Sequence, residues 1–246
     1  MNRFFLNQEN FLKGEVLFPR AITHQILHVL RLGDGDEVYA LDNQGQGYQV
    51  RLVVDQAGNS LRGEILSSEA VTTEPDTQVS LCFGLTNRDK VELILQKGTE
   101  VGVSAFYPFI SERTLIQTTD LSAAKFERWE RIIREAAEQS GRGRLPQLHR
   151  PTAMDDCARK VSGSHARVLA AWEEAGSGLA NRLSTVLAAK TESLALFVGP
   201  EGGFSSDEIQ SIQNLGGEVV SLGKRILRME TAAIVFPALV LFGMGE

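Results

Sequence analysis

The chain has 246 residues, 43% hydrophobic and 23% charged, with a formal net charge of −6, which suits one large or two small globular domains and excludes the chain-wide basic footprint usual for nucleic-acid binders. The most apolar stretch, 232–242, is too short to cross a bilayer and contains Pro237, and the N-terminus lacks the apolar region of a signal peptide. Cys82 and Cys157 show neither metal-ligand spacing nor a disulfide framework, so the expected compartment is the reducing cytoplasm.

Residues 1–71 read as a small β-rich domain. Strand-like stretches fall at 16–18, 37–41, 48–54 and 61–66, with glycine turns between them. Ile22, Ile26, Leu27, Val29 and Leu30 form a helical stripe over 21–30. His24, His28 and Arg31 follow at spacings of four and three, which places them on one face. They serve equally well as RNA contacts or as an ordinary polar face, and no third ligand supports a metal site. The polar segment 72–77, containing Pro75, reads as a linker.

From residue 78 to 246 strands alternate with helices, the pattern of an α/β sheet. Strands are expected at 79–85, 105–110, 168–172, 194–198 and 218–222. Helices are expected at 89–101, 122–141, 205–215 and from 230 onward, with a weaker one at 179–189. Lys97 and Glu100 serve nearly equally well as functional residues or as a solvated helix face. Ser122 is a candidate N-cap and Gly141 a candidate C-cap for the long helix, whose buried stripe is Trp129, Ile132, Ile133, Ala136 and Ala137. The stretch 125–150 supplies the local basic surface that RNA binding requires. It carries Lys125, Arg128, Arg131, Arg134, Arg142, Arg144 and Arg150 against Glu127, Glu130, Glu135 and Glu138. Pairs four apart on the helix absorb part of that charge. Arg142 and Arg144 lie beyond the helix on a glycine-rich turn and are the better phosphate candidates.

The organising stretch is LALFVGPEGGFSSDEIQSIQNLGGEVVSLGKRILRMETA, residues 194–232. A buried strand ends at Gly199-Pro200. A loop with Gly202 and Gly203 follows, and Ser205 with Glu208 then forms a capping box. A second strand ends in a second loop at 223–229. Two strand-ending loops close in sequence form two walls of a ligand site, because ligands in open α/β sheets sit beyond the carboxyl ends of strands. The loop is neither a P-loop nor a dinucleotide fingerprint.

GPEGGFS at 199–205 and LGKRILRMETA at 222–232 together resemble the bacterial 16S ribosomal RNA uridine-N3 methyltransferases of the SPOUT class. THQILHVLRLGDGDEV at 23–38, QKGTEVGV at 96–103 and EAAEQSGRGRLP at 135–146 extend the resemblance over the whole chain. It implies a PUA-like β-barrel over 1–71, then an α/β domain with a C-terminal trefoil knot. It also implies methylation of N3 of a uridine near the decoding region of 16S ribosomal RNA. S-adenosylmethionine would be held by Val198, Gly199, Pro200, Glu201, Gly202, Gly203, Leu222, Gly223, Leu227, Arg228, Met229, Thr231 and Ala232. RNA would meet His28, Arg31, Arg142 and Arg144. No metal is implied.

Uridine N3 carries a proton and is a poor nucleophile until the proton leaves. Arg228 is the candidate for stabilising the anion or holding the substrate, with Glu138 and Arg142 contributing; no residue stands out as base, and Glu201 and Glu230 have structural explanations as helix-end carboxylates. The last helix, apolar at Ile234, Val235, Leu239, Val240 and Phe242, fits the homodimer that the resemblance implies, and Pro237 implies a kink or a late start. Competing readings are a ribose 2′-O-methyltransferase of the same class, a non-catalytic ribosome-assembly module and a small phosphotransferase.

Overall fold

The structure, a computed structural model, describes residues 1–55, 60–173, 181–183, 187 and 191–245. The chain divides into two compact units, Met1–Glu74 with Ala137–Leu145, and Pro75–Ala136 with Pro146–Glu246. The first unit is therefore discontinuous, which a single break at 72–77 does not anticipate.

The first unit is a mixed six-stranded sheet in the order β1-β4-β5-β6-β3-β2. Its strands are β1 (Arg3–Phe5), β2 (Phe11–Leu12), β3 (Glu15–Leu17), β4 (Glu37–Leu41), β5 (Gln46–Val54) and β6 (Leu61–Ala70). β1 runs parallel to β4, and the other pairs are antiparallel. β1 and β2 are too short for an alternating pattern to be read from the sequence. Val16, Ile26, Val38, Ala40, Val50 and Leu52 are fully buried in the core. The expected helix is α1 (Arg20–His24), which widens into a π-helical turn at Gln25–Val29. His24 and His28 stay neighbours, with ring centroids 4.9 Å apart. Arg31 lies past the helix with φ +58° and does not continue their face.

The second unit is an eight-stranded sheet, all parallel, in the order β10-β8-β7-β13-β11-β14-β12 with β9 also on β8. Its strands are β7 (Gln78–Gly84), β8 (Ala105–Ile110), β9 (Gln147–Leu148), β10 (Thr152–Ala153), β11 (Arg167–Ala171), β12 (Asn181–Arg182), β13 (Ser193–Val198) and β14 (Glu218–Ser221). A parallel sheet covered on both faces demands continuous apolar strands, which is why β7 and β13 read as unbroken runs. Their side chains sort by period two. Leu81, Phe83, Leu194 and Leu196 join one core cluster, while Cys82, Ala195 and Phe197 join the other. The first face is covered by α2 (Arg88–Val101), part of α3 (Ala123–Ser140) and α6 (Met229–Met244); the second by α4 (Met154–Ser162) and α5 (Ser206–Asn214).

β9, β10, α4 and the 179–189 segment depart from expectation. α4 was not foreseen, although Met154, Cys157, Ala158 and Val161 are its buried stripe; Ala153 at its N-cap makes no side-chain cap, so the start signal is missing. Of the helix expected at 179–189, most lies outside the described residues, and Asn181–Arg182 forms a strand paired with β14. α6 starts at Met229 and runs through Pro237 without interruption. An interior proline removes a backbone hydrogen bond at a cost of about 3 kcal/mol, offset here by burial of Phe236 and Val240 in the core. Among the described residues no helix is long and apolar enough to cross a membrane.

Candidate functional site

The carboxyl ends of β11, β13 and β14 open onto a cavity of about 410 Å³, within the usual size of small-ligand sites. Its first wall is the loop after β13. Gly203 has φ +69°, so conformation selects glycine, and Glu173 Oε1 lies only 2.4 Å from where a Cβ there would stand. Gly84, ending β7, likewise lets the backbone of Pro200 approach, since a Cβ would lie 2.6 Å from Pro200 N.

This loop is tied down on all sides. Phe204, 2% exposed, is buried beside Phe109 in the second core cluster. Arg113 donates from one guanidinium nitrogen to the carbonyls of Gly202 at 3.1 Å and Phe204 at 3.3 Å. The expected capping box forms: the Glu208 amide donates to Ser205 Oγ and the Ser205 amide to Glu208 Oε2. Glu208 Oε1 also accepts the Glu112 amide at 2.8 Å. Glu201 accepts from the Thr86 hydroxyl and from Lys90 Nζ, the latter at 3.1 Å. Lys90 Nζ lies 3.3 Å from Glu230 Oε2 as well, so one ammonium joins α2, the first loop and the start of α6. Burial alone would raise the Glu201 carboxyl; the hydrogen bonds from Thr86 and Lys90 outweigh it and hold the pKa below the ordinary carboxylate value. The Lys90 ammonium is raised, chiefly by its hydrogen bond to Glu201.

The second wall, after β14, differs in kind. Leu222 and Leu227 pack partly against the core, and Met229 and Ala232 are buried. Between them Arg225, Ile226 and Arg228 are exposed, Ile226 at 84%. Arg228 is the N-cap of α6, its carbonyl accepting the Ala232 amide at 2.8 Å. Its guanidinium has no ion pair among the described residues.

Of the cofactor residues expected from sequence, all but Gly202 and Thr231 line the cavity. Gly202 instead faces Arg113, whose Cβ would lie 2.9 Å from a Cβ at that position, and Thr231 is exposed. Lys90, Ala171, Trp172, Glu173 and Ser221 line the cavity without a sequence signal, and Arg225 and Ile226 line it within the expected second loop. Ser221, Arg225 and Ile226 are chain neighbours of expected residues. Lys90 and Glu173 carry no local signal: they arrive because β7 and β11 flank β13.

The other expected residues lie in the first unit. Glu138 Oε1 accepts the Phe5 amide at 3.1 Å. Arg142 is 4% exposed and forks onto Glu74, with Nη2 to Oε2 at 2.7 Å and Nε to Oε1 at 3.3 Å. Glu74 Oε1 also accepts the amides of Gly143 and Arg144. The expectation of Arg142 as an open phosphate contact is therefore corrected: its charge is buried and satisfied within the turn. Arg144 is exposed and donates to the Gln44 carbonyl at 3.0 Å. His28 and Arg31 are exposed. Lys97, half-buried like its partner, pairs with Glu100 at 2.8 Å. Among the described residues no cluster of three His, Cys, Asp or Glu is arranged to hold a metal.

Comparison with known proteins gives concordant results. An RNA methyltransferase domain family matches residues 73–241. A ribosomal RNA small subunit methyltransferase E from Mesomycoplasma hyopneumoniae is 31% identical over 95% of this chain and 96% of its own length. The protein of the same name from Synechocystis sp. is 34% identical over 95% of this chain and 75% of its own. The crystal structure of a ribosomal RNA small subunit methyltransferase E from Neisseria gonorrhoeae bound to S-adenosyl methionine superposes with a TM-score of 0.86 at 29% identity, covering 98% of this chain and 97% of that one.

Proposed function

The chain belongs to the ribosomal RNA small subunit methyltransferase E family, and from that premise we propose that it transfers a methyl group from S-adenosylmethionine to N3 of one uridine in 16S ribosomal RNA, near the decoding region. The observation that carries the proposal is the cavity at the strand ends, because the residues around it suit this cofactor. Gly199 and Gly203 expose backbone in the first wall, and Leu222, Leu227 and Met229 offer apolar surface to an adenine. When bound, S-adenosylmethionine supplies a methyl group already activated on a sulfonium, so the chain has only to bind, orient and manage a proton.

The proton is the harder part. Glu201, held below the ordinary carboxylate value, is a weak base for a nitrogen acid such as uridine N3–H. Arg228, exposed at the cavity rim, is assigned to the uridine anion, whose charge spreads over O2, N3 and O4. On this reading water accepts the proton, and the chain lowers the barrier by stabilising what remains. The target nitrogen lies on the Watson–Crick edge, so the uridine enters unpaired or flipped. Arg144, His28 and Arg31 are assigned to RNA. Arg142 acts through the turn it holds with Glu74, and Glu138 through the Phe5 amide it accepts, rather than at the reacting atoms.

The same reading takes the first unit as a PUA-like barrel and the crossings of the second unit as a trefoil knot. A homodimer would use the exposed side of α6. Phe242 is 82% exposed and Leu239 41%, whereas Val240 is fully buried in its own chain and is unsuited to a dimer contact. The deciding experiment incubates small subunits lacking the modification with the protein and S-adenosylmethionine, then reads the RNA by reverse transcription. A methyl on N3 blocks pairing and stops the polymerase one nucleotide before the site. Methyl incorporation without a stop would mean a ribose or C5 product and would reject the N3 assignment.

A further inference from the structure

The charged residues lining the cavity among the described residues are Lys90, Arg225 and Arg228 against Glu201 and Glu173. Glu201 is spoken for by Thr86 and Lys90. Without Glu173 the lining would offer three cations and a single carboxylate already bound to one of them. That is a repulsive setting for a ligand with net positive charge.

Glu173 differs from the other carboxylate there, Glu201, which Thr86 and Lys90 hold. It follows the end of β11, is exposed, and places Oε1 directly over the glycine loop, 2.4 Å from where a Cβ on Gly203 would stand. No described residue hydrogen-bonds to it or pairs with it. With no ion pair to a described residue, the Glu173 carboxylate beside the glycine loop is available to a cation in the ligand.

S-adenosylmethionine and its demethylated product share adenine, ribose and an amino-acid end whose ammonium and carboxylate balance each other. They differ at sulfur, a sulfonium before transfer and a neutral thioether after. Resting on the cofactor assignment above, we propose that Glu173 is the specificity-determining residue that reads the sulfonium charge, so that the site prefers S-adenosylmethionine to S-adenosylhomocysteine. The carboxylate stabilises the charged ground state, and that charge disperses as the methyl leaves. Its contribution therefore lies in cofactor affinity and product release, not in the chemical step.

The test is calorimetric titration of the wild type, Glu173→Gln and Glu173→Asp with both nucleosides, with thermal unfolding as the check on folding. The expected result for Glu173→Gln is a loss of about tenfold in affinity for S-adenosylmethionine, with the affinity for S-adenosylhomocysteine within about twofold of wild type. Glu173→Asp, which keeps the charge, restores part of the preference. In turnover assays KM for S-adenosylmethionine rises and kcat does not fall. Equal weakening of both nucleosides would show that Glu173 contacts a part they share, and would overturn the inference, as would no change in either. Failure of the folded wild type to bind either nucleoside would instead reject the cofactor assignment itself, and the inference with it.

Discussion

The two loops that wall the cavity are made on opposite plans. The loop after β13 buries its aromatic residue, Phe204, in the core, gives two carbonyls to Arg113, and anchors Glu201 through Thr86 and Lys90. The loop after β14 leaves Ile226 at 84% exposure, and its Lys224, Arg225 and Arg228 make no ion pair among the described residues. One wall is fixed in advance by its own protein; the other keeps its cations and its apolar tip available. Preorganisation serves a ligand that arrives in the same form every turnover, whereas unpaired charge serves a partner that brings the opposite charge with it.

The sharpest way to break this contrast is to remove one apolar side chain from each loop. Phe204→Ala is expected to cost about 3–5 kcal/mol in urea unfolding, and Ile226→Ala less than about 0.5 kcal/mol. Similar costs for the two would erase the distinction. Next in size is Arg228→Ala, expected to lower turnover about a hundredfold, as for loss of a transition-state donor, while calorimetric affinity for S-adenosylmethionine stays within about twofold. Weakened cofactor binding with normal turnover would move Arg228 to the cofactor side.

A smaller effect is expected from charge on the second loop alone. The double change Lys224→Ala, Arg225→Ala should flatten the salt dependence of RNA binding by about 0.7 to 0.9 per phosphate contact removed. An unchanged slope would mean these cations do not meet phosphate. The smallest effect concerns pH. Because the folded Glu201 pKa is depressed, its contribution to holding the first loop is fully present above the ordinary carboxylate value of 4.5 and is lost as pH falls through the depressed one. Glu201→Gln should therefore be less sensitive than wild type to acid between pH 4.5 and the unfolding limit, as read by unfolding midpoints. A parallel pH profile for the two would remove Glu201 as an anchor.

The first loop was largely legible in the sequence because its determinants are local. A strand run, a glycine cluster and a Ser205–Glu208 box all declare themselves within a dozen residues. What was not legible is what the sheet order brings in. Phe83 pairs with Val198, and Ala171 with Val198 on the other side, so the ends of β7 and β11 deliver Thr86, Lys90 and Glu173 from segments separated by whole helices. Arg142 shows the same limit. Its partner Glu74 stands 68 positions away, and nothing in GRGR announces that the first arginine is buried and the second exposed. Arg31 departs for a subtler reason: the helix ends at Leu30 and Arg31 takes φ +58°, so helical spacing no longer governs where it points.

The joining of Ala137–Leu145 to a unit that otherwise ends at Glu74 has a consequence for how the chain is made. Phe5 and Leu41 are covered by Ala137, and Glu74 finds Arg142 only when that turn exists. Ribosomes add about 5–20 residues per second, so the N-terminal sheet leaves the exit tunnel some seconds before its last piece. Through that interval it carries an open apolar seam and an unmatched carboxylate. Vectorial synthesis therefore cannot finish the first unit before starting the second; their maturation is interleaved. Cleavage in the nascent chain between Glu74 and Ala137 would strand a sheet that has every strand it needs and still cannot close.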